Sequence, residues 1–332
     1  MRARPSWWKM ATGVAVVFFL TTNVSLYRSE RRAWLGPENT NRAAKEYYVW
    51  NSMVFAYRSV LAMVLRPDHP LMAPLNALQD YLYEKGVSLL PPGDGEVGIW
   101  KWKFKLYLYG RRDYMPEDRA VEMLDDLWEV LETLGTQPIS DPEMELERLK
   151  TFPTVALFYS LHQWKYFGTT PSPERWTALI GDQDKAARAS KIAGWLQKVR
   201  EGWSRHPSVQ AELARSPIIR IAYYWATVGF TETVLSRKNR QGELTCEDPY
   251  LALFLQVRRE FLDAFPELLS AYPNSQMGLT YRGAFGTDVS KTLAYLSHEV
   301  CGAPKDLAYP THDWIAQQQE NLQALARLIR RP

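Results

Sequence analysis

Five histidines, His69, His162, His206, His298 and His312, and two cysteines, Cys246 and Cys301, are the side chains of this chain best suited to hold a metal or to act as nucleophiles. Their spacing assembles little. His298, Glu299 and Cys301 form the densest group, yet H-E-x-x-H and C-x-x-C are both absent and His298 with Cys301 leaves a zinc ion short of ligands. His69 and His206 precede Pro70 and Pro207, which places them at helix boundaries. No metal and no cofactor is expected.

The common catalytic signatures are missing too: there is no G-x-S-x-G elbow, no Walker A loop and no G-x-G-x-x-G fingerprint. Carboxylate neighbours such as Asp125-Asp126 and Glu247-Asp248 point in different directions on a helix, so neither makes an acid/base pair by spacing. The stretch from Gly278 to Gly286, with Thr280, Tyr281, Arg282 and Asp288, reads either as a ligand loop or as an ordinary connection between helices. The sequence assigns no reaction and leans toward a non-catalytic chain.

An even cysteine count permits one disulfide, Cys246 to Cys301, closing a 55-residue span. In the chain-entropy model such a bond is worth about 4 kcal/mol in an oxidising compartment; the alternative is two unrelated buried thiols.

The elements that must position these residues begin at the N-terminus. Uncharged residues 10–27, with Val14, Val16, Val17, Phe18, Phe19 and Leu20 as their core, are bounded by Arg2, Arg4 and Lys9 on one side and Arg28, Arg31 and Arg32 on the other. At about 1.5 Å per residue this run spans about 27 Å, close to a bilayer's hydrocarbon core. Trp7, Trp8 and Tyr27 sit at its ends, where amphipathic rings favour the headgroup layer. A cleaved signal peptide shares this layout but needs small residues in an A-x-A-like pattern after the apolar core. Here Ser25 is preceded two positions earlier by Asn23, so an uncleaved signal anchor is expected. Basic residues tie at three on each side and the amino terminus tips the count toward a cytoplasmic N-terminus. The division is then 1–9 as a cytoplasmic tail, 10–27 as the transmembrane helix and 28–332 as an extracytoplasmic domain, with a polar stretch at 239–247 as a candidate subdivision.

Charge is distributed to match. The formal total is +3, residues 1 to 32 supply +5, and the remainder therefore carries −2, which removes the electrostatic support for a nucleic-acid partner. The only N-x-S/T sequon, Asn23-Val24-Ser25, lies inside the apolar run, so a bacterial inner-membrane protein facing the periplasm is the simplest setting. Thirteen Trp and 18 Tyr are many for 332 residues and point to packed cores, interfaces or sugar-stacking sites.

Beyond the anchor, helix punctuation dominates. Asp141-Pro142, Ser172-Pro173, Ser216-Pro217 and Asp248-Pro249 each place a capping residue before a proline at the first helical position. After Met115-Pro116, an apolar stripe of Val121, Leu124, Leu127, Trp128, Leu131 and Leu134 opposes Glu122, Asp125, Asp126, Glu129 and Glu132, a solvated or docking face. Further helices are expected over 42–65, 71–84, 154–167, 184–205, 218–235, 250–265, 289–300 and 313–330. The helix over 218–235 is apolar, but Arg220 and Glu232 make it a core helix rather than a second span.

One segment alternates. Trp100-Lys101-Trp102-Lys103-Phe104-Lys105-Leu106-Tyr107-Leu108-Tyr109 predicts a strand with Trp100, Trp102, Phe104, Leu106 and Leu108 on one face, Val87 to Leu90 as a short partner and Pro91 to Gly95 as the turn between. Its aromatics would pack on the core as an edge strand, or its lysines and rings would form an interface with anionic lipid or a polyanion. The fold class expected is mainly α, a single N-terminal transmembrane helix followed by a helical globular ectodomain with at most a small β element near 87–109. Two functions fit: a bitopic structural or interaction subunit of an envelope complex for secretion, transfer or polymer export, with the bilayer and other proteins as partners; or an anchored periplasmic enzyme or binding protein acting on glycans.

Overall fold

The computed structural model describes residues 21–32, 34–35, 40–62, 65, 69–106, 117–163, 182–271, 298 and 301–302. Among these the regular structure is helical and there is no strand. The chain divides into two compact units, Met1–Met115 with Glu132–Glu147, and Pro116–Leu131 with Arg148–Pro332.

The first unit is built on α1 (21–32), α2 (Arg42–Ala62), α3 (Met72–Val87) and α4 (Glu96–Trp100), which widens into a π-helical stretch over Lys101–Leu106. Helices α2 and α3 form an antiparallel hairpin that buries Tyr48, Val49 and Met53 from one side and Met72 and Leu82 from the other. Its seam is polar at one place: the Asn51 amide donates to the Gln79 carbonyl at 3.1 Å, and the Gln79 amide donates onward to the Phe104 carbonyl at 3.0 Å. Glycine at 86 lets α4 approach, because a Cβ there would lie 2.1 Å from Cζ3 of the buried Trp100 ring.

The expected strand is therefore a helix, and Val87 to Leu90 is a helix end and turn, not its partner. The cause is the π geometry. An i→i+5 ladder widens the turn beyond four residues, so positions two apart fall on opposite sides and positions four apart coincide. Trp100 and Phe104 meet the same partner, Tyr48, at ring separations of 4.7 and 4.8 Å. Trp102 and Leu106 are buried as well. Alternating burial here marks a helix enclosed on two sides, a pattern indistinguishable by spacing from a one-faced strand.

The second unit takes parts of α5 (Glu117–Thr136) and α6 (Pro142–Gln163) with α7 (Asp182–Arg205), α8 (Pro207–Arg215), α9 (Pro217–Gln241) and α10 (Pro249–Ala271). Leu124, Leu127 and Leu131 of the α5 stripe are buried and Glu122, Asp125 and Glu129 are exposed, so the acidic face is solvated. Prolines open α6, α8, α9 and α10. Asp248 caps α10 by accepting the Tyr250 amide at 2.9 Å, while Ser216 makes no side-chain cap for α9. Helix α9 is the core: Tyr223, Ala226, Phe230, Glu232 and Leu235 are all buried. It outruns the expected end at 235 because Ser236 to Gln241 stays helical until Gly242, whose φ of 69° closes the last turn with bonds from its own and the Glu243 amides. The polar stretch 239–247 takes in the last residues of α9 and most of the α9–α10 connection, and lies within this unit.

No helix among the described residues is long and apolar enough to cross a membrane. Trp7, Trp8 and residues 10–20 of the expected span lie outside the described residues, as do residues 278–286, 289–297 and 313–330; residues 21–27 form the first turns of α1.

Candidate functional site

Asp94, Glu96 and Asp141, with Lys45, make the densest group of buried charge in the first unit. Lys45 Nζ meets Asp141 Oδ2 at 2.6 Å with both side chains excluded from solvent. The other Asp141 oxygen caps α6, accepting the Glu143 and Met144 amides at 2.9 and 3.2 Å. Asp94 accepts the amide of Glu96, the first residue of α4, at 2.9 Å, and also accepts the Ser140 hydroxyl. Glu96 accepts from the Trp100 indole at 3.1 Å and from Asn41 at 3.4 Å. Asn41 itself sits at φ 56°, a left-handed conformation that asparagine tolerates, and donates to Ser140 as well.

The electrostatics follow from these contacts. Burial pushes the Glu96 carboxyl above its ordinary value, and Asp94 adds to the rise, against the opposing pull of Lys45 and the Trp100 and Asn41 hydrogen bonds. Burial would raise Asp141 likewise, but the Lys45 contact and the two capping amides outweigh it and its pKa falls. Chemically the cluster is a latch. Its carboxylates are committed to helix ends and to Lys45, and the side chains of Lys45, Glu96 and Asp141 are shut off from solvent, so the group ties α2, α4 and the start of α6 together rather than presenting an acid/base pair to a saccharide.

The aromatic–lysine segment is equally committed. Trp100, Trp102 and Phe104 are core rings, which removes them from the surface where an interface needs them. Lys103 pairs with Glu147 and lies 4.3 Å from the Trp34 ring centre; Lys105 stands 3.7 Å from Asp80 and 4.6 Å from the Tyr83 ring centre. Lys101 is half-buried.

Alongside its exposed charges, the first unit exposes several large apolar side chains. Helix α1 runs antiparallel along α2: the Tyr27 and Trp50 rings lie 5.0 Å apart, Arg31 pairs with Glu46 at 3.3 Å, and the Tyr57 hydroxyl donates to Asn23. Val24 and Trp50 are each 49% exposed. On α3 and its lead-in, Leu71, Pro74, Leu78 and Tyr81 fall at i, i+3, i+7 and i+10, one helical face, and all are exposed, while Met72, Gln79, Leu82 and Gly86 face inward. The sequence reading passed over this stripe and over Lys45. For the stripe the signal was present in the excess of apolar residues over 71–82, which is more than one buried face requires.

Cys246 and Cys301 are joined in a disulfide with a Cα–Cα distance of 5.4 Å. No group of three or more His, Cys, Asp or Glu among the described residues is arranged to hold a metal ion. No protein-family model, no curated protein and no solved structure matches this chain.

Proposed function

We propose that this chain is a single-pass bacterial inner-membrane protein, held by residues 10–27, whose helical periplasmic domain is a structural or interaction subunit of an envelope-associated complex for secretion, transfer or polymer export. The observation that carries this reading is the exposed stripe of Leu78 and Tyr81 on α3, with Trp50 exposed on α2. Large apolar and aromatic side chains aligned on one helical face are what a partner helix or groove takes up. The Cys246–Cys301 bond suits an oxidising compartment, and the net −2 of residues 33–332 suits protein rather than nucleic-acid partners. Crosslinking in intact membranes followed by mass spectrometry tests it. Wild type is expected to capture a reproducible partner whose recovery falls sharply in a Leu78→Glu, Tyr81→Ala variant of unchanged helicity. Equal capture by wild type and variant, or none above a mock control, contradicts the assignment.

A further inference from the structure

Helices α1, α2 and α3 form one layer with two unlike faces. One is covered: Tyr48 and Phe55 of α2 lie against the Phe104 ring, and on α3 the Gln79 amide reaches the Phe104 carbonyl and the Tyr83 ring meets Lys105. At about 100° per residue, positions two apart on a helix stand on nearly opposite sides. Trp50 is two residues from Tyr48 and Tyr81 two from Tyr83, so both fall on the other face, and both are exposed. Leu78 and Lys85, one turn to either side of Tyr81, share it. Helix α1 meets α2 along Glu46, Trp50 and Tyr57, whereas α3 meets it along Tyr47, Asn51 and Arg58. The open face therefore has α2 as its floor and α1 and α3 as its two borders.

Both borders are basic at the level of Trp50. Arg28, one turn after the exposed Val24 and next to Tyr27, stands on α1; Lys85, next to the glycine that lies beside Tyr47, stands on α3. Each is exposed, and neither forms an ion pair among the described residues. The carboxylates nearby are committed or turned aside. Glu46 pairs with Arg31, Glu30 accepts from Ser52 and Trp34, Asp80 stands by Lys105, and Glu84 is about 100° round α3 from Lys85.

We propose that this face docks an amphipathic helix of a partner protein, whose apolar side covers Trp50, Leu78 and Tyr81 and whose carboxylates pair with Arg28 and Lys85. The inference rests on the interaction-subunit reading and names the chemistry of its partner. Large apolar side chains on the floor supply the burial, and the basic borders select for acidic flanks. Charge decides against a second copy. A two-fold axis parallel to the helices, the one that lets α1 of both copies run the same way as two anchors in one bilayer require, sets Arg28 of one copy against Lys85 of the other, cation against cation.

Full-length protein in phosphatidylcholine nanodiscs tests this by fluorescence anisotropy with two labelled synthetic peptides that share a leucine face at i, i+3, i+4 and i+7, one flanked by Glu and the other by Lys. The Glu-flanked peptide is expected to bind about ten-fold more tightly. An R28E/K85E variant should reverse that preference, and the Leu78→Glu, Tyr81→Ala variant should bind neither peptide, each variant having the circular dichroism of wild type. Equal binding of the two peptides, lost in the Leu78 and Tyr81 variant, overturns the acidic partner and leaves the apolar interface standing. Binding of neither, or binding that survives that variant, overturns helix docking on this face, while crosslinking in intact membranes decides the subunit reading separately. In nanodiscs that also hold phosphatidylglycerol and an acyl-chain diazirine lipid, photo-adducts on the peptide containing Leu78 and Tyr81 would assign the face to lipid and overturn the protein partner.

Discussion

Lys45 and Asp141 lie 96 residues apart in sequence and meet in direct contact with both side chains buried, so each compensates the other for leaving water. Removing one partner strands a buried charge, and Lys45→Ala is expected to cost about 3–5 kcal/mol. Lys45→Met with Asp141→Asn keeps an oxygen for the α6 amides and leaves no charge behind, so the pair should cost less than the sum of its single changes; a double-mutant cycle by urea denaturation measures the difference. Glu96 has the opposite sign. Its folded pKa stands above its ordinary 4.5, so its contribution to stability is full below that value and is lost as pH rises through the folded pKa. Asp141, lowered from 3.8, contributes above that value and loses its contribution as pH falls through the folded pKa. Stability should therefore rise on acidification from pH 7 toward 4.5 and turn down below 3.8. In Glu96→Gln the rise should vanish; a variant that keeps the full rise assigns it to another group.

At the scale of elements, the joint between α3 and α4 is where packing is least forgiving. Gly86→Ala gains helix propensity worth about 1 kcal/mol but drives a methyl into the Trp100 ring, which Glu96 and Tyr48 hold in place, and overpacking of this kind costs about 1–3 kcal/mol. A net loss is expected. Trp102→Ala should cost about 3–5 kcal/mol through lost burial and a cavity; a cost under 1 kcal/mol would mean that the ring is not core. These elements also show what a sequence discloses. The helix starts at Pro142, Pro217 and Pro249 were legible because a proline's fixed φ and missing N–H act within one turn. The π turn was not legible, because alternation at 100–106 has two physical sources and only the contact of Trp100 and Phe104 with one Tyr48 separates them. The burial of Glu96 was not legible either: Trp100 is one turn away, but Asn41, which completes its hydrogen bonding, is 55 residues away.

At the scale of the whole molecule two features act beyond any one contact: a disulfide that constrains the unfolded chain, and the proposed attachment to a membrane. The Cys246–Cys301 bond closes 55 residues and restricts the unfolded chain, so Cys246→Ser with Cys301→Ser is expected to lose about 4 kcal/mol in the chain-entropy model, read as a lower urea midpoint. Protein recovered from the cell without reductant should resist alkylation at both positions; two reactive thiols would place the domain in a reducing compartment. The claim on which everything else depends is that residues 10–27 remain in the mature protein and hold it in the membrane. Intact-mass measurement of the protein purified from alkali-washed membranes tests it most directly. The account predicts protein in the membrane pellet that still contains residues 10–27. A mature chain beginning between Thr22 and Arg28, or full-length protein released into the alkaline wash, contradicts it.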